Sequence, residues 1–178
     1  IARDMEFVRK REAEFKMDSS AESVEVQEMS TVLEAIINEQ IELNDWLGPE
    51  ASTITSSRYD DIVNGVDTIV RYGEGDTHLG LAIDVTFTLD IQEKLDRIKK
   101  DIENHILTEI KYFASPNPED PDEYTYVGSQ KVPRVVIGVG KKAVQDLAHL
   151  WLEKDKKALQ KHPIQYVIGA EILDQLIF

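Results

Sequence analysis

Apolar and polar positions fall along the chain in blocks that predict the order α-α-β-β-α-β-α-α. Residues 1–17 are charged and helix-prone, with a sparse stripe at Met5, Val8 and Phe15, and Asp18-Ser19-Ser20 offers caps for a second helix. From Ser23 to Leu47, apolar residues recur at Val26, Met29, Leu33, Ile36, Ile37 and Ile41. That spacing of three and four predicts a helix with one buried face, ended by Gly48-Pro49. Residues 50–61 read as a polar connection. Gly65–Tyr72 and Leu79–Thr88 are rich in β-branched residues and flank the turn candidates Gly73 to Asp76, which predicts a β-hairpin. The second strand is nearly continuous in apolar residues, as expected of a central strand covered on both faces.

Asp90 is a cap for a helix expected to run to about Phe113, with Ile91, Leu95, Ile98, Ile102 and Ile106 on its buried stripe. Residues 114–132 hold three prolines and read as an exposed loop. Val132–Val139 is a third strand. A helix is expected from Lys141 to Lys161, with Val144, Leu147, Leu150, Trp151 and Leu159 facing inward, and a last one over Ile164–Phe178. Strands alternating with helices indicate an α/β layer fold around a small mixed sheet. The division expected is an N-terminal helical arm, residues 1–47, whose second helix packs on an α/β core of residues 48–178.

The hairpin brings in the candidate chemistry. Opposite residues of an antiparallel pair share a constant index sum, and 67 and 84 are centred between Gly75 and Asp76, inside the predicted turn. Asp67 and Asp84 are therefore expected opposite one another, with Cβ atoms roughly 5 Å apart. Carboxylates so placed repel each other unless a cation lies between them, and an oxygen-rich site of this kind suits Mg²⁺ or Mn²⁺. The alternative is a register displaced by a residue or two, or one aspartate at a strand end in water.

Asn64-Gly65-Val66-Asp67 followed by Ile83-Asp84-Val85-Thr86 resembles the PD-(D/E)XK nuclease superfamily, in which one Asp opens a strand and an acidic-x-Lys triplet sits on its hairpin partner. The resemblance covers about residues 34–140, including an acidic first helix and a helix after the second strand. It implies a restriction-endonuclease-like core, metal ligation by Asp67 and Asp84, and a third ligand on the preceding helix: Glu39 first, with Glu34 or Glu42 as alternates. Thr86 occupies the Lys position, and a hydroxyl brings no positive charge. Some superfamily members look as if the Lys has moved to the neighbouring helix, which makes Lys94 and Lys99 the candidates here. The function so implied is Mg²⁺- or Mn²⁺-dependent hydrolysis of nucleic-acid phosphodiesters, DNA before RNA. The alternative is a catalytically degenerate protein of the same fold, acting as an interaction module for protein or nucleic acid.

Charge and composition shape these expectations. The net charge of −14 argues against indiscriminate nucleic-acid binding. Residues 1–90 carry 20 Asp/Glu against 7 Lys/Arg, and residues 91–178 carry 14 against 13. A phosphate-contacting surface is thus expected in the C-terminal half, from Lys131, Arg134, Lys141, Lys142, Lys154, Lys156, Lys157 or Lys161, unless these are simply solvated. The acidic arm is a candidate surface for a second copy or another protein. Absence of cysteine excludes disulfides and Cys-ligated zinc. With no apolar run near 18 residues, the chain reads as a cytoplasmic protein without a membrane span. Ile137 to Lys142 invites a P-loop reading but lacks the motif's first glycine and terminal Ser/Thr, leaving a glycine-rich strand-to-helix turn that could lie near a phosphate. The four histidines show no metal spacing, and the acidic segment 117–123 lacks the EF-hand glycine.

Overall fold

The computed structural model describes residues 1–18, 21–73, 79–88, 90–116 and 124–177. Positions 74–76 of the expected hairpin turn, His78, Ser19-Ser20 and the acidic segment 117–123 lie outside the described residues.

A mixed four-stranded sheet organises the chain. Its strands are β1 (Ala51–Thr55), β2 (Thr68–Tyr72), β3 (Leu79–Thr86) and β6 (Arg134–Gly138), in that spatial order. β1–β2 and β2–β3 are antiparallel, while β3 and β6 are parallel across a connection that includes α4 (Gln92–Glu103). One face carries the larger core. There α2 (Ala21–Asn44) brings Leu33, Ile36, Ile37 and Ile41 against Ile83, Val85, Val135 and Ile137. α5 (Lys141–Leu152), α6 (Lys156–Gln160) and α7 (Ile164–Leu176) complete that layer. The other face packs Ile54, Ile69 and Ala82 against Ile110, Phe113 and Val132 of a second, two-stranded sheet, β4 (Thr108–Pro116) with β5 (Tyr124–Val132). Apolar residues on both faces explain why β3 reads as a continuous apolar run.

The protein is thus mixed α/β, a small mixed sheet flanked by helices, but four segments differ from expectation. Residues 50–61 contain β1 and the start of α3 (Arg58–Asn64). β1 is an edge strand with Ile54 as its one buried residue, so it shows no apolar alternation. α3 is fixed at its ends: the Ser57 side chain accepts from the Asp60 N–H, and Gly65 closes the helix at φ 62°. The helix expected to reach Phe113 stops at Glu103, because His105 turns left-handed at φ 57° and leaves Ile102 and Ile106 exposed. Residues 114–132, expected as a loop, hold the end of β4 and all of β5. The helix expected over Lys141–Lys161 breaks at Lys154, φ 57°, and restarts with Asp155 accepting from the Ala158 N–H.

The glycine-rich turn after β6 is explained by packing: a Cβ on Gly138 would stand 2.6 Å from the Thr88 carbonyl oxygen. The N-terminal helix α1 (Ala2–Asp18) lies against α3, with Glu12 paired to Arg58 at 2.7 Å and Asp4 to Lys111 at 2.8 Å. Among the described residues, no helix is long and apolar enough to cross a membrane.

Candidate functional site

Asp67 is placed by the end of α3. The left-handed turn at Gly65 sends the chain toward β2, and the N–H groups of Gly65 and Val66 return to the carbonyls of Asp61 and Asp60. Asp67 sits one residue before β2, its N–H donating to the Ile83 carbonyl at 3.0 Å. Its Oδ2 accepts the Val85 N–H at 2.6 Å, which fixes the carboxylate beside β3. The hairpin register runs Thr68↔Ile83 through Tyr72↔Leu79. The paired register ends there; Asp67 and Asp84 are the next residue on each side, and the Asp67 N–H bonds the Ile83 carbonyl rather than that of Asp84.

Asp67 and Asp84 line a cleft of about 400 Å³ bounded by α3, the ends of β2 and β3, and α4. Thr86 lines it too, on the same face of β3 as Asp84. Lys94, in the first turn of α4, extends its Nζ to Asp84 Oδ1 at 2.8 Å. Lys99 is exposed on α4 and does not line the cleft. Arg97 and Arg134 do. Neither is singled out for this site by the sequence motif, although Arg134 is among the cations of the C-terminal half expected from the charge distribution to contact phosphate. Spacing is the signal that finds Arg97, since it follows Lys94 by three positions on one helix face.

The cleft crowds carboxylates. Burial pushes Asp67 up to about 8, with the charges of Glu34, Asp84 and Asp61 adding to it and the Val85 N–H opposing it. Glu34 is pushed up to about 7, again by burial first and then by Asp61 and Asp84. Asp61 is raised as well, chiefly by burial, although the Arg58 guanidinium opposes the shift. Glu34 is therefore the α2 carboxylate within electrostatic reach of the pair.

The structure does not bring Glu39 there: its Oε2 accepts the Trp151 indole N–H at 2.7 Å, on the side of α2 facing α5. Glu42 is engaged elsewhere too, accepting from the Thr53 N–H and hydroxyl on β1. Helix phase sets Glu39 apart, while Glu42 lies eight residues, about 12 Å, further along the helix from Glu34. Glu34 shares a stripe with Ser30, which lines the cleft, and with Asn38, which accepts from Thr68, whereas Glu39 is turned well over 90° from that stripe.

Among the described residues, no three His, Cys, Asp or Glu side chains form a group arranged to hold a metal ion. The donor set at the cleft is instead a carboxylate pair. That pair suits a hard cation such as Mg²⁺, which commonly takes one or two carboxylates and keeps several waters. No protein-family model, curated protein or solved structure matches the chain.

Proposed function

We propose that the Asp67–Asp84 cleft hydrolyses phosphodiester bonds in nucleic acid, with Mg²⁺ or Mn²⁺ held by the two aspartates. The observation that carries this reading is Lys94: its Nζ lies 2.8 Å from Asp84 Oδ1, in the same cleft as Asp67 and Thr86. Thr86 stands where the PD-(D/E)XK pattern has its Lys, and Lys94 brings the missing charge from the neighbouring helix. The chain order around the cleft also supports a restriction-endonuclease-like core: an acidic helix, an antiparallel hairpin with paired aspartates, a helix, and a parallel strand.

When bound, the metal supplies Lewis-acid polarisation of the phosphate. The chain's own groups do the rest. Asp67 and Asp84 would hold the cation, and the Val85 N–H keeps the Asp67 carboxylate beside β3. Lys94 would meet the negative charge that builds on the phosphoryl oxygens, a stabilisation that an ammonium fixed by Asp84 supplies without reorganisation. The Thr86 hydroxyl can hydrogen-bond the attacking water. Water oxygen adds to phosphorus and releases a proton to solvent, the ester P–O bond breaks, and the leaving alkoxide is protonated from solvent. Cleavage of DNA and RNA oligonucleotides with Mn²⁺ or Mg²⁺ tests the proposal, with Asp67→Ala and Asp84→Ala as controls. Activity that survives both substitutions would overturn the site.

The Lys94–Asp84 ion pair also favours a second reading. An ammonium 2.8 Å from the carboxylate can replace a cation permanently, leaving a non-catalytic interaction protein on the same fold. That protein would bind no divalent metal by calorimetry and cleave nothing.

A further inference from the structure

The cleft holds two cations beyond Lys94. α4 places Lys94, Arg97 and Asp101 at spacings of three and four, hence on one face. Arg134, at the start of β6, is held from behind. Its Nη1 donates to the Asn64 carbonyl at 2.7 Å and its Nη2 lies 3.6 Å from Asp101 Oδ2. Its side chain is 12% exposed, and its Nε is shielded from solvent without a hydrogen-bond partner among the described residues. Arg97 is exposed and makes no ion pair with a described carboxylate. Gly65 lies between the arginine and the aspartates. A Cβ there would stand 3.4 Å from Arg134 Nη1 and 3.7 Å from Asp84 Oδ2, so the absent side chain leaves both atoms facing one gap.

Each Nη of Arg134 carries two N–H groups, and the contacts with Asn64 and Asp101 engage at most one on each, so the fork keeps donors to offer. The planar fork of arginine matches a phosphate better than any other side chain does. Here a fixed fork and a second arginine, unpaired among the described residues, border the carboxylate pair across a glycine gap. We infer that Arg97 and Arg134 form a phosphate-gripping subsite, which binds the phosphodiester next to the one held at Asp67 and Asp84. The inference rests on the hydrolytic reading and narrows its substrate to a chain bearing consecutive phosphates, a nucleic-acid strand rather than a phosphomonoester. A local grip of this kind lets a chain of net charge −14 hold a polyanion without a broadly basic face.

Two measurements on the full chain test it. In steady-state cleavage of a single-stranded oligonucleotide, Arg97→Gln raises KM about 10- to 100-fold, the loss of one charge-assisted hydrogen bond, with kcat changed far less. Arg97→Lys recovers part of that loss. In the second measurement, inorganic pyrophosphate is titrated into protein labelled with ¹⁵N-arginine. The Nε–Hε signals of Arg97 and Arg134 shift, and Arg97→Gln or Arg134→Gln weakens the titration. Because Arg97 is exposed, its variant keeps the test valid even where Arg134→Gln fails to fold. Cleavage by the wild type with an unchanged KM in Arg97→Gln overturns the subsite and spares the hydrolytic reading. Arginine signals that move in a protein that cleaves nothing support the subsite and overturn hydrolysis. Arginine signals indifferent to pyrophosphate overturn the inference outright.

Discussion

Lys94 and Asp84 each satisfy the other's charge at 2.8 Å, and substitution of the lysine separates its two roles. If the ammonium stabilises the transition state, Lys94→Ala lowers kcat by about 10²- to 10³-fold, the range for removing one preorganised donor. Divalent-metal affinity then stays equal or rises, since Asp84 loses a competing cation. Lys94→Arg restores part of the rate. Calorimetry of metal binding beside single-turnover cleavage reads both effects, and a variant that loses metal binding and rate together would argue for a purely structural lysine. At this scale Asp67 and Asp84 are legible in the sequence, because counting from the turn centre brings them together, and Lys94 is legible only through the resemblance, as a lysine early in the next helix. The choice among Glu34, Glu39 and Glu42 is not. All three lie on one amphipathic helix, and only the contacts with Trp151 and Thr53 reveal which face each glutamate presents.

Among the elements, α3 shows how a short polar segment can hold a site in place. Asp60 is fully buried, and its carboxylate accepts from the Ser57 hydroxyl and Asn64 amide at 2.7 Å within the helix. It also accepts the backbone N–H groups of Lys111 and Tyr112 on β4 at 2.8 and 3.0 Å. One carboxylate therefore stitches α3, and with it the turn that places Asp67, to the second sheet. Asp60→Ala leaves two partly buried strand N–H groups unpaired, so we expect a loss of about 3–5 kcal/mol in urea unfolding.

The outer edge of β6 is closed in a similar way. The buried Gln175 of α7 accepts the Val136 N–H at 2.9 Å and donates to the Val136 carbonyl at 2.8 Å, imitating a neighbouring strand. Gln175→Leu should cost about 1–3 kcal/mol and raise the tendency to aggregate, read by urea midpoint and light scattering. None of these ties can be had from periodicity. β1 and α3 escape it because their residues are polar for structural reasons, β4 because its start merges with an apolar helical stripe, and β5 because it lies in a segment rich in proline and charge.

Across the whole molecule, the cleft and the acidic composition set how stability varies with pH. Asp67 near 8 and Glu34 near 7 both keep their protons in the folded, metal-free protein at pH values where the unfolded chain, with ordinary values of 3.8 and 4.5, has released them. The native state then binds more protons than the unfolded state, so stability falls as pH rises from about 4 to 8. Repulsion within a chain of net charge −14 acts in the same direction. Asp4 acts oppositely: its hydrogen bonds from Lys111 and Tyr112 hold it down at about 2, so its contribution is lost on acidification below about 4. Urea midpoints in EDTA should therefore be higher at pH 5.5 than at pH 8. Asp67→Asn, neutral at both, should flatten that slope. Mg²⁺ or Mn²⁺ should recover stability at pH 8 in the wild type and do so far less in Asp67→Asn, since binding to the folded state alone stabilises it by mass action. A slope unchanged by Asp67→Asn would show that groups other than Asp67 govern the pH dependence. A cation that stabilises both proteins equally would place the metal elsewhere than Asp67.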